Sequence, residues 1–201
     1  MKNYIFDFGG VLYEIDPEAA IRALSELSIK PDIFKSFNIY SYLNNEINLK
    51  FEKGLISPEV FIKKLREEFF LETGDKSLIN AFNKTLVKLK SEAVKVCRDF
   101  KKMGKLILLS NSNLIHYKHF SKESAELFSL FDKIYFSFHH KMRKPEIQFY
   151  ELVLNEMNLN PEETLFIDDS EQNIKTANYL GINTFLFNPL NDLSVVRDIL
   201  N

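Results

Sequence analysis

The chain has 201 residues, of which 45% are hydrophobic and 27% charged, with a formal net charge of −2. These values are typical of a globular protein with a sizeable core and exclude a disordered or fibrous chain. The charge is close to neutral and there is no basic stripe, so we expect no nucleic-acid partner. No apolar run approaches the ~18 residues of a membrane span, so we expect no membrane partner either. With one cysteine and no secretory pattern after Lys2, the sequence favours a cytoplasmic protein.

The first segment, YIFDFGGVL, predicts a buried strand over residues 4–8 that carries one acid, Asp7, and runs into Gly9-Gly10. Burying an ionised carboxylate without a partner costs several kcal/mol. A turn or helix-capping role would also place an acid here. Asp7 is therefore a candidate functional residue whose charge requires a cation, a metal or a helix end nearby.

From Asp16 to about Lys90 the pattern is almost wholly helical. Asp16-Pro17 and Ser57-Pro58 each combine a capping side chain with proline at the first helical position. Apolar residues follow these starts at helical spacing. We expect residues 15–90 to form a helical cap inserted after the first strand, and residues 1–14 and 91–201 to form the core.

After residue 90, strands and helices alternate. Apolar segments predict strands at 105–111, 133–138, 164–168 and 183–188, with helices between them. This alternation predicts an α/β fold, a doubly wound, Rossmann-like parallel sheet with right-handed crossovers. The strand at 4–8 belongs to the same sheet. The carboxyl ends of such strands converge on the ligand crevice.

Polar residues follow several of these strands. Asp168-Asp169 ends one of them, and two adjacent acids repel each other unless a positive charge lies between them. Oxygen ligands of this kind suit Mg²⁺. A carboxylate nucleophile, a magnesium ion and a lysine make up a site for phosphoryl transfer through an aspartyl-phosphate. The candidate residues are Asp7, Ser110, Asn111, Lys144, Asp168 and Asp169, although Ser110 alone is equally typical of a strand-end hydroxyl and Lys144 alone of a solvated loop.

Four stretches resemble, in order and spacing, the motifs of the haloacid dehalogenase-like hydrolases. They are DFGGVL at Asp7, LILLSN around Ser110, RKPE around Lys144 and FIDDSEQN at Asp168. The resemblance covers nearly the whole chain. The phrases EKGLISPEVF, LSNSN and DDSEQNIKTANYLGI are similar to the bacterial sugar-phosphate phosphatases, in particular the α-D-glucose-1-phosphate phosphatase branch.

The resemblance implies a Mg²⁺-dependent hydrolase with a role for each matching residue. Asp7 would be the nucleophile and Lys144 the stabilising cation. The helices inserted after the first strand would be a cap that closes over the substrate. The implied phosphate-binding residues are Ser110 and Asn111, and the implied metal ligands are Asp7, the carbonyl of Gly9, Asp168 and Asp169.

Gly9 departs from the usual pattern, in which an aspartate two residues after the nucleophile serves as general acid. A general acid is worth typically ~10² to 10⁴ in rate. Its absence favours leaving groups of low pKa, such as the anomeric oxygen of a sugar 1-phosphate. His139 or His140 could supply the proton instead, although exposed loop histidines are the commoner case. We expect Asn173, in the first turn of the helix after Ser170, to orient the acids.

Three functions remain open from the sequence. The leading hypothesis is a phosphatase acting on a small phosphate ester. A metal-independent 2-haloacid dehalogenase would also use Asp7 and would also lack the second acid, although the pair Asp168-Asp169 argues against it. A catalytically inactive binding module is the third. The sequence does not set the oligomeric state.

Overall fold

The computed structural model of the protein describes residues 1–36 and 45–200. Five strands form one parallel sheet in the order β5-β4-β1-β6-β7, and the other two form an antiparallel ribbon. The predicted doubly wound sheet is confirmed. In chain order the strands are β1 (Asn3–Phe6), β2 (Tyr13–Ile15), β3 (Leu86–Leu89), β4 (Lys105–Ser110), β5 (Lys133–Phe136), β6 (Thr164–Asp168) and β7 (Asn183–Leu186).

Helices cover both faces of the sheet and fill the segment between β2 and β3. In chain order they are α1 (Pro17–Glu26), α2 (Glu46–Glu52), α3 (Pro58–Glu68), α4 (Asp75–Phe82), α5 (Ala93–Met103), α6 (Leu114–Phe120), α7 (Ala125–Phe128), α8 (Ser137–His140), α9 (Ile147–Glu156) and α10 (Glu171–Tyr179). Short 3₁₀ helices occur at Pro31–Ser36, Asn83–Thr85, Pro161–Glu163 and Leu193–Leu200. No helix among the described residues is both long enough and apolar enough to cross a membrane.

Alternate residues of the central strands enter two separate cores. Tyr4 and Phe6 pack with α5 on one face of the sheet, whereas Ile5 packs with α9 and α10 on the other. This alternation follows from the two-residue period of a strand. Because helices cover both faces of the sheet, the strands are continuous apolar segments in the sequence. The carboxyl ends of the strands remain accessible.

The inserted helices, α1 to α4, pack around a second hydrophobic cluster that includes Leu24, Phe61 and Leu78 and is joined by Ile115 of α6. The predicted helix starts are present, since Asp16 Oδ1 accepts from Ala19 N at 3.0 Å and Ser57 Oγ accepts from Val60 N at 3.4 Å. We refer to residues 17–85 as the insert. The boundaries that assign 15–90 to a separate cap remain a prediction.

The sequence does not predict the ribbon of β2 and β3, because its pattern up to Lys90 indicates helix almost throughout. Tyr13 pairs with Leu89 and Glu14 with Lys88 in an antiparallel register. The two chain passages that connect core and insert thus lie side by side, where their backbone groups can pair with each other. The ribbon fixes where the insert leaves the sheet.

Candidate active site

The ends of the three central strands bring the predicted acids together. The Asp7 amide donates to the Ile167 carbonyl at 2.9 Å, which extends the contact between β1 and β6 by one residue. Asp168 is the last residue of β6, and Ser110 is the last residue of β4. Because β4 and β6 flank β1, their ends lie on either side of Asp7 at the point where the strand order reverses.

The two carboxylate oxygens of Asp7 have different surroundings. Oδ1 accepts hydrogen bonds from the Phe8 amide and from Lys144 Nζ, both at 2.7 Å. Oδ2 receives no hydrogen bond from any described residue. Asp7 is 7% exposed. The side chain is therefore held by one oxygen and presents the other.

Lys144 lies at the centre of the cluster and is 1% exposed. Its Nζ contacts Asp168 Oδ2 at 2.6 Å as well as Asp7. Burial favours the neutral amine, but Asp168 and Asp7 outweigh it, so the pKa of Lys144 lies above its ordinary value. The ammonium therefore stays charged and bridges the two acids.

The Asn111 side chain positions the loop that carries Lys144. Its Nδ2 donates to the Lys144 carbonyl at 2.9 Å, and its Oδ1 accepts from the Lys144 amide at 2.8 Å. These two hydrogen bonds use both polar atoms of the side chain of Asn111, the residue to which the family resemblance assigns phosphate binding. The adjacent Ser110 is buried, with its hydroxyl 3.4 Å from the Asn111 carbonyl.

Asp168 is held by hydrogen bonds on both of its oxygens. Oδ1 accepts from the Ser170 amide at 2.8 Å and from Asn173 Nδ2 at 2.9 Å, while Oδ2 accepts from Lys144. The contact expected from Asn173 is present. The Asp169 carboxylate has no such set of donors and is the more available oxygen ligand.

The three acids fit a magnesium ion. Asp7, Asp168 and Asp169 each offer a carboxylate oxygen, and these atoms lie within 4.8 Å of one another. Burial, together with the neighbouring acids, raises the pKa values of Asp7 and Asp169. A hard cation with oxygen ligands would offset this repulsion. The Gly9 carbonyl, the fourth predicted ligand, accepts no backbone hydrogen bond from a described residue.

Gly9 and Gly10 differ in conformation. Gly10 has φ of +80°, and a Cβ there would overlap the Asp169 carboxylate. Gly9 lies outside the positive-φ region, and a Cβ there would meet Ile15 at an ordinary 3.7 Å. Gly10 is thus the glycine that the site requires, a role that sequence reasoning did not assign.

We expect Gly10→Ala to weaken the binding of metal. The substitution costs about 1–2 kcal/mol for the left-handed backbone and displaces Asp169. Loss of a contact that orients a ligand typically lowers metal affinity about 10- to 100-fold. Calorimetric titration with Mg²⁺ measures this. Gly74→Ala is the matched control, because a Cβ there meets open space; equal affinities for the two variants would contradict the prediction.

A cavity of 160 Å³ adjoins the acids, between the end of the sheet and the insert. Its wall combines rings with polar groups. The core contributes Phe8, Gly9, Ser110, Asn111, Ser112, Asn113, His116 and Phe120, and the insert and ribbon contribute Tyr13, Ile15, Pro17, Asn48, Phe51, Glu52, Phe82, Thr85 and Leu86.

His116 forms part of this wall and is one of the residues that sequence reasoning missed. Its ring stacks on Phe82 with centroids 4.4 Å apart. Nε2 is buried without a hydrogen-bond partner among the described residues. Burial lowers the pKa of His116 to about 4. The ring is therefore neutral at pH 7 and is not a proton donor there.

The low pKa predicts an acid-sensitive fold. Unfolded histidine titrates near 6.5, so between about pH 6.5 and 4 the unfolded chain binds a proton that the folded chain excludes. Stability should fall as the pH decreases through this window, by up to about 3 kcal/mol from His116 alone. Urea unfolding across the window measures it. His116→Phe should reduce the slope and the exposed His119→Gln should not; identical slopes for wild type and His116→Phe would refute the assignment.

His139 and His140 are the two histidines that the sequence offers as proton donors. His139 is exposed, and His140 packs against Tyr135 and Phe149 with ring centroids 5.3 and 6.0 Å away. Neither histidine lines the cavity, so neither is placed to replace the acid missing at Gly9.

Arg143, whose role the sequence left open, pairs with Glu52 of α2 through Nε at 3.0 Å.

The fold is a doubly wound α/β sheet. At the carboxyl ends of its central strands, Lys144 bridges two buried acids, Asp7 and Asp168. The chain belongs to the haloacid dehalogenase-like hydrolase family, whose pattern matches residues 1–181. The family resemblance read from the four motifs is confirmed. The narrower resemblance to α-D-glucose-1-phosphate phosphatases is not.

Relatives share most of the chain. A D-ribitol-5-phosphate phosphatase from Bacteroides thetaiotaomicron is 29% identical over 92% of this chain and 91% of its own. A sesquiterpene phosphatase from Aspergillus oryzae is 28% identical over 90% of this chain and 87% of its own. A crystal structure of a HAD family enzyme from B. thetaiotaomicron, in complex with magnesium and inorganic phosphate, is 33% identical, covers 98% of both chains and superposes with a TM-score of 0.85.

Proposed function

We propose that this protein is a Mg²⁺-dependent phosphatase that hydrolyses a small phosphate monoester through an aspartyl-phosphate on Asp7. The observation that carries the proposal is the asymmetry of Asp7, whose Oδ1 is held by Lys144 while Oδ2 receives no hydrogen bond from a described residue. The relatives named as phosphatases and the neighbour that binds magnesium and phosphate support it.

Each predicted residue has a role in this proposal. Magnesium, held by Asp7, Asp169, the Gly9 carbonyl and a remaining lone pair of Asp168, would neutralise charge on the phosphate. Lys144 acts against the effect of burial on the pKa of the nucleophile and would neutralise charge on the transferring group. Ser110 and the backbone around Asn111 would donate to phosphate oxygens. Asp168 and Asn173 hold Lys144 and the acids in place.

The reaction has two steps. Asp7 Oδ2 attacks phosphorus, the bond between phosphorus and the ester oxygen breaks, and the leaving group departs as an alkoxide with the electron pair of that bond and takes its proton from water. Water then attacks the phosphorus of the aspartyl-phosphate, which releases inorganic phosphate and restores the Asp7 carboxylate. Lys144 contacts the same carboxylate in both steps, since its amine is fixed between Asp7 and Asp168.

Cavity size favours a small organic group. The phosphate would lie at the acids, so the cavity of 160 Å³ needs to hold only the rest of the molecule. A cavity of about 150 Å³ holds benzene, whereas a sesquiterpene skeleton of fifteen carbons would have to extend out of this one into solvent. A sugar or polyol of five or six carbons fits better. Among the relatives, the proposal therefore follows the ribitol-phosphate phosphatase and not the sesquiterpene phosphatase.

The experiment is a screen of purified protein against phosphate esters, with Mg²⁺ and with chelator. The panel should contain sugar 1-phosphates, pentitol and hexose phosphates and a terpenyl phosphate, with a 2-chloroacid to test the dehalogenase alternative. We expect release of phosphate only with metal, and the fastest turnover among the small hydroxylated esters. Turnover of the chloroacid in chelator, without phosphatase activity, would refute the proposal.

A further inference from the structure

Glu52 places a carboxylate on the wall of the cavity. It is the last residue of α2, and its side chain is 21% exposed. Gly9, Ser110 and Asn111 line the same cavity, so its wall runs from Glu52 to the residues that adjoin the acids. No part of the reaction described above uses this acid.

The carboxylate is held in one orientation. Arg143 Nε donates to Oε2 at 3.0 Å, and the Ser137 hydroxyl donates to the backbone carbonyl of Glu52 at 2.6 Å. Oε1 receives no hydrogen bond from any described residue. An ionised carboxylate offers about four acceptor positions, so this acid retains acceptor capacity.

Burial acts against the negative charge of Glu52. Burial raises the pKa of Glu52 above its ordinary value, while Arg143 and Lys144 act in the opposite direction. A desolvated carboxylate destabilises a fold unless it is paired or binds something, and the pairing with Arg143 uses only Oε2. His116 adds a second polar group to the same wall, with its unpartnered Nε2. Both observations indicate a cavity built for a ligand that carries hydrogen-bond donors.

We propose that Glu52 is a specificity-determining residue that accepts hydrogen bonds from the hydroxyl groups of a polyol or sugar phosphate bound in the cavity. This rests on the proposed phosphatase function. Arg143 is a positioning residue, because it fixes one oxygen of the carboxylate. Discrimination of this kind is strong because a buried acceptor is left unpaired when the substrate lacks its hydroxyl.

The test compares two primary alkyl phosphates of equal chain length, a pentitol 5-phosphate and n-pentyl phosphate, so that the hydroxyl groups are the main difference. Wild type should favour the pentitol phosphate in kcat/KM. Since a hydrogen bond to a charged group contributes about 1.5–3 kcal/mol, Glu52→Gln should reduce this preference about 10- to 100-fold. Arg143→Lys, which leaves Glu52 intact, should reduce it by a smaller factor.

Lys53→Gln is the matched control. Lys53 follows Glu52 and forms an ion pair with Glu146, which joins the same end of α2 to the same loop, but it does not line the cavity. We expect it to change both substrates by the same factor. An equal loss on both substrates for Glu52→Gln, as for this control, would reduce Glu52 to a contact between insert and core and overturn the proposal.

The outcomes separate this proposal from the phosphatase function. If wild type with Mg²⁺ hydrolyses neither of these two esters nor any other phosphate ester of the panel, the phosphatase function fails. If it hydrolyses both with equal kcat/KM, the phosphatase function stands and the role of Glu52 is refuted. If Glu52→Gln does not fold, shown by circular dichroism, an unchanged preference in Arg143→Lys refutes the proposal and a reduced preference supports it.

Discussion

Replacing Asp7 with asparagine should abolish turnover while the protein still folds. The amide has the shape of the carboxylate but cannot attack phosphorus, and removal of a nucleophile typically lowers kcat by about 10⁴ or more. The substitution also removes one of three mutually repelling acids and leaves Lys144 paired with Asp168 at 2.6 Å. Phosphate release and thermal unfolding of the variant measure the two expectations.

Asp16→Asn is the matched control for this prediction. It makes the same chemical change at the N-cap of α1, where asparagine caps as well as aspartate does. We expect activity close to that of wild type. Turnover retained in Asp7→Asn would move the nucleophile to another residue, and loss of activity in both variants would point to a general effect on folding.

The second large effect is expected from Gly9→Asp. Without a general acid, the wild-type rate should fall steeply as the leaving alcohol becomes more basic. A carboxyl group at position 9 should accelerate the hydrolysis of poor leaving groups by up to ~10² to 10⁴ and flatten that dependence. Gly9 lines the cavity, so the new side chain would enter the space beside the ester.

The backbone accepts this substitution. A positive φ at Gly9 would have strained an aspartate, but the positive φ belongs to Gly10. Gly9→Asn is the control, because it has the same size and carries no acidic proton. An equal gain in the two variants would assign the effect to shape, and a wild-type rate indifferent to leaving-group pKa, with chemistry limiting, would show that another residue supplies the proton.

The parallel sheet was predictable because its signals are local. The central strands contain continuous apolar runs, and a polar residue ends or directly follows each of them, so the positions of Asp7, Ser110 and Asp168 follow from the strand pattern. The ribbon was not predictable. In β3, Val87 and Lys88 are exposed, and the pairing with β2 joins segments more than 70 positions apart in the chain. Such a pairing leaves no periodic trace in the sequence.

Of the residues that form the site, only the acids and Lys144 could be predicted from the sequence with their roles. The two hydrogen bonds between Asn111 and Lys144 span 33 positions, and the ion pair of Arg143 with Glu52 spans 91. Nothing at Glu52 distinguishes it from a solvated residue at a helix end. The sequence around Gly10 does not distinguish it from Gly9. Glycine is needed at position 10 because a Cβ there would overlap the Asp169 carboxylate, which is distant in the chain.

Direct detection of the phosphoenzyme tests the central claim. Purified protein is mixed with Mg²⁺ and a small phosphate ester, quenched rapidly in acid and digested, and the peptide that contains Asp7 is analysed by mass spectrometry. We predict that this peptide gains one phosphoryl group, that Asp7→Asn does not, and that chelator prevents the gain. Phosphate release by wild type without phosphorylation of Asp7, even under conditions in which its breakdown is slowed, would contradict the aspartyl-phosphate mechanism.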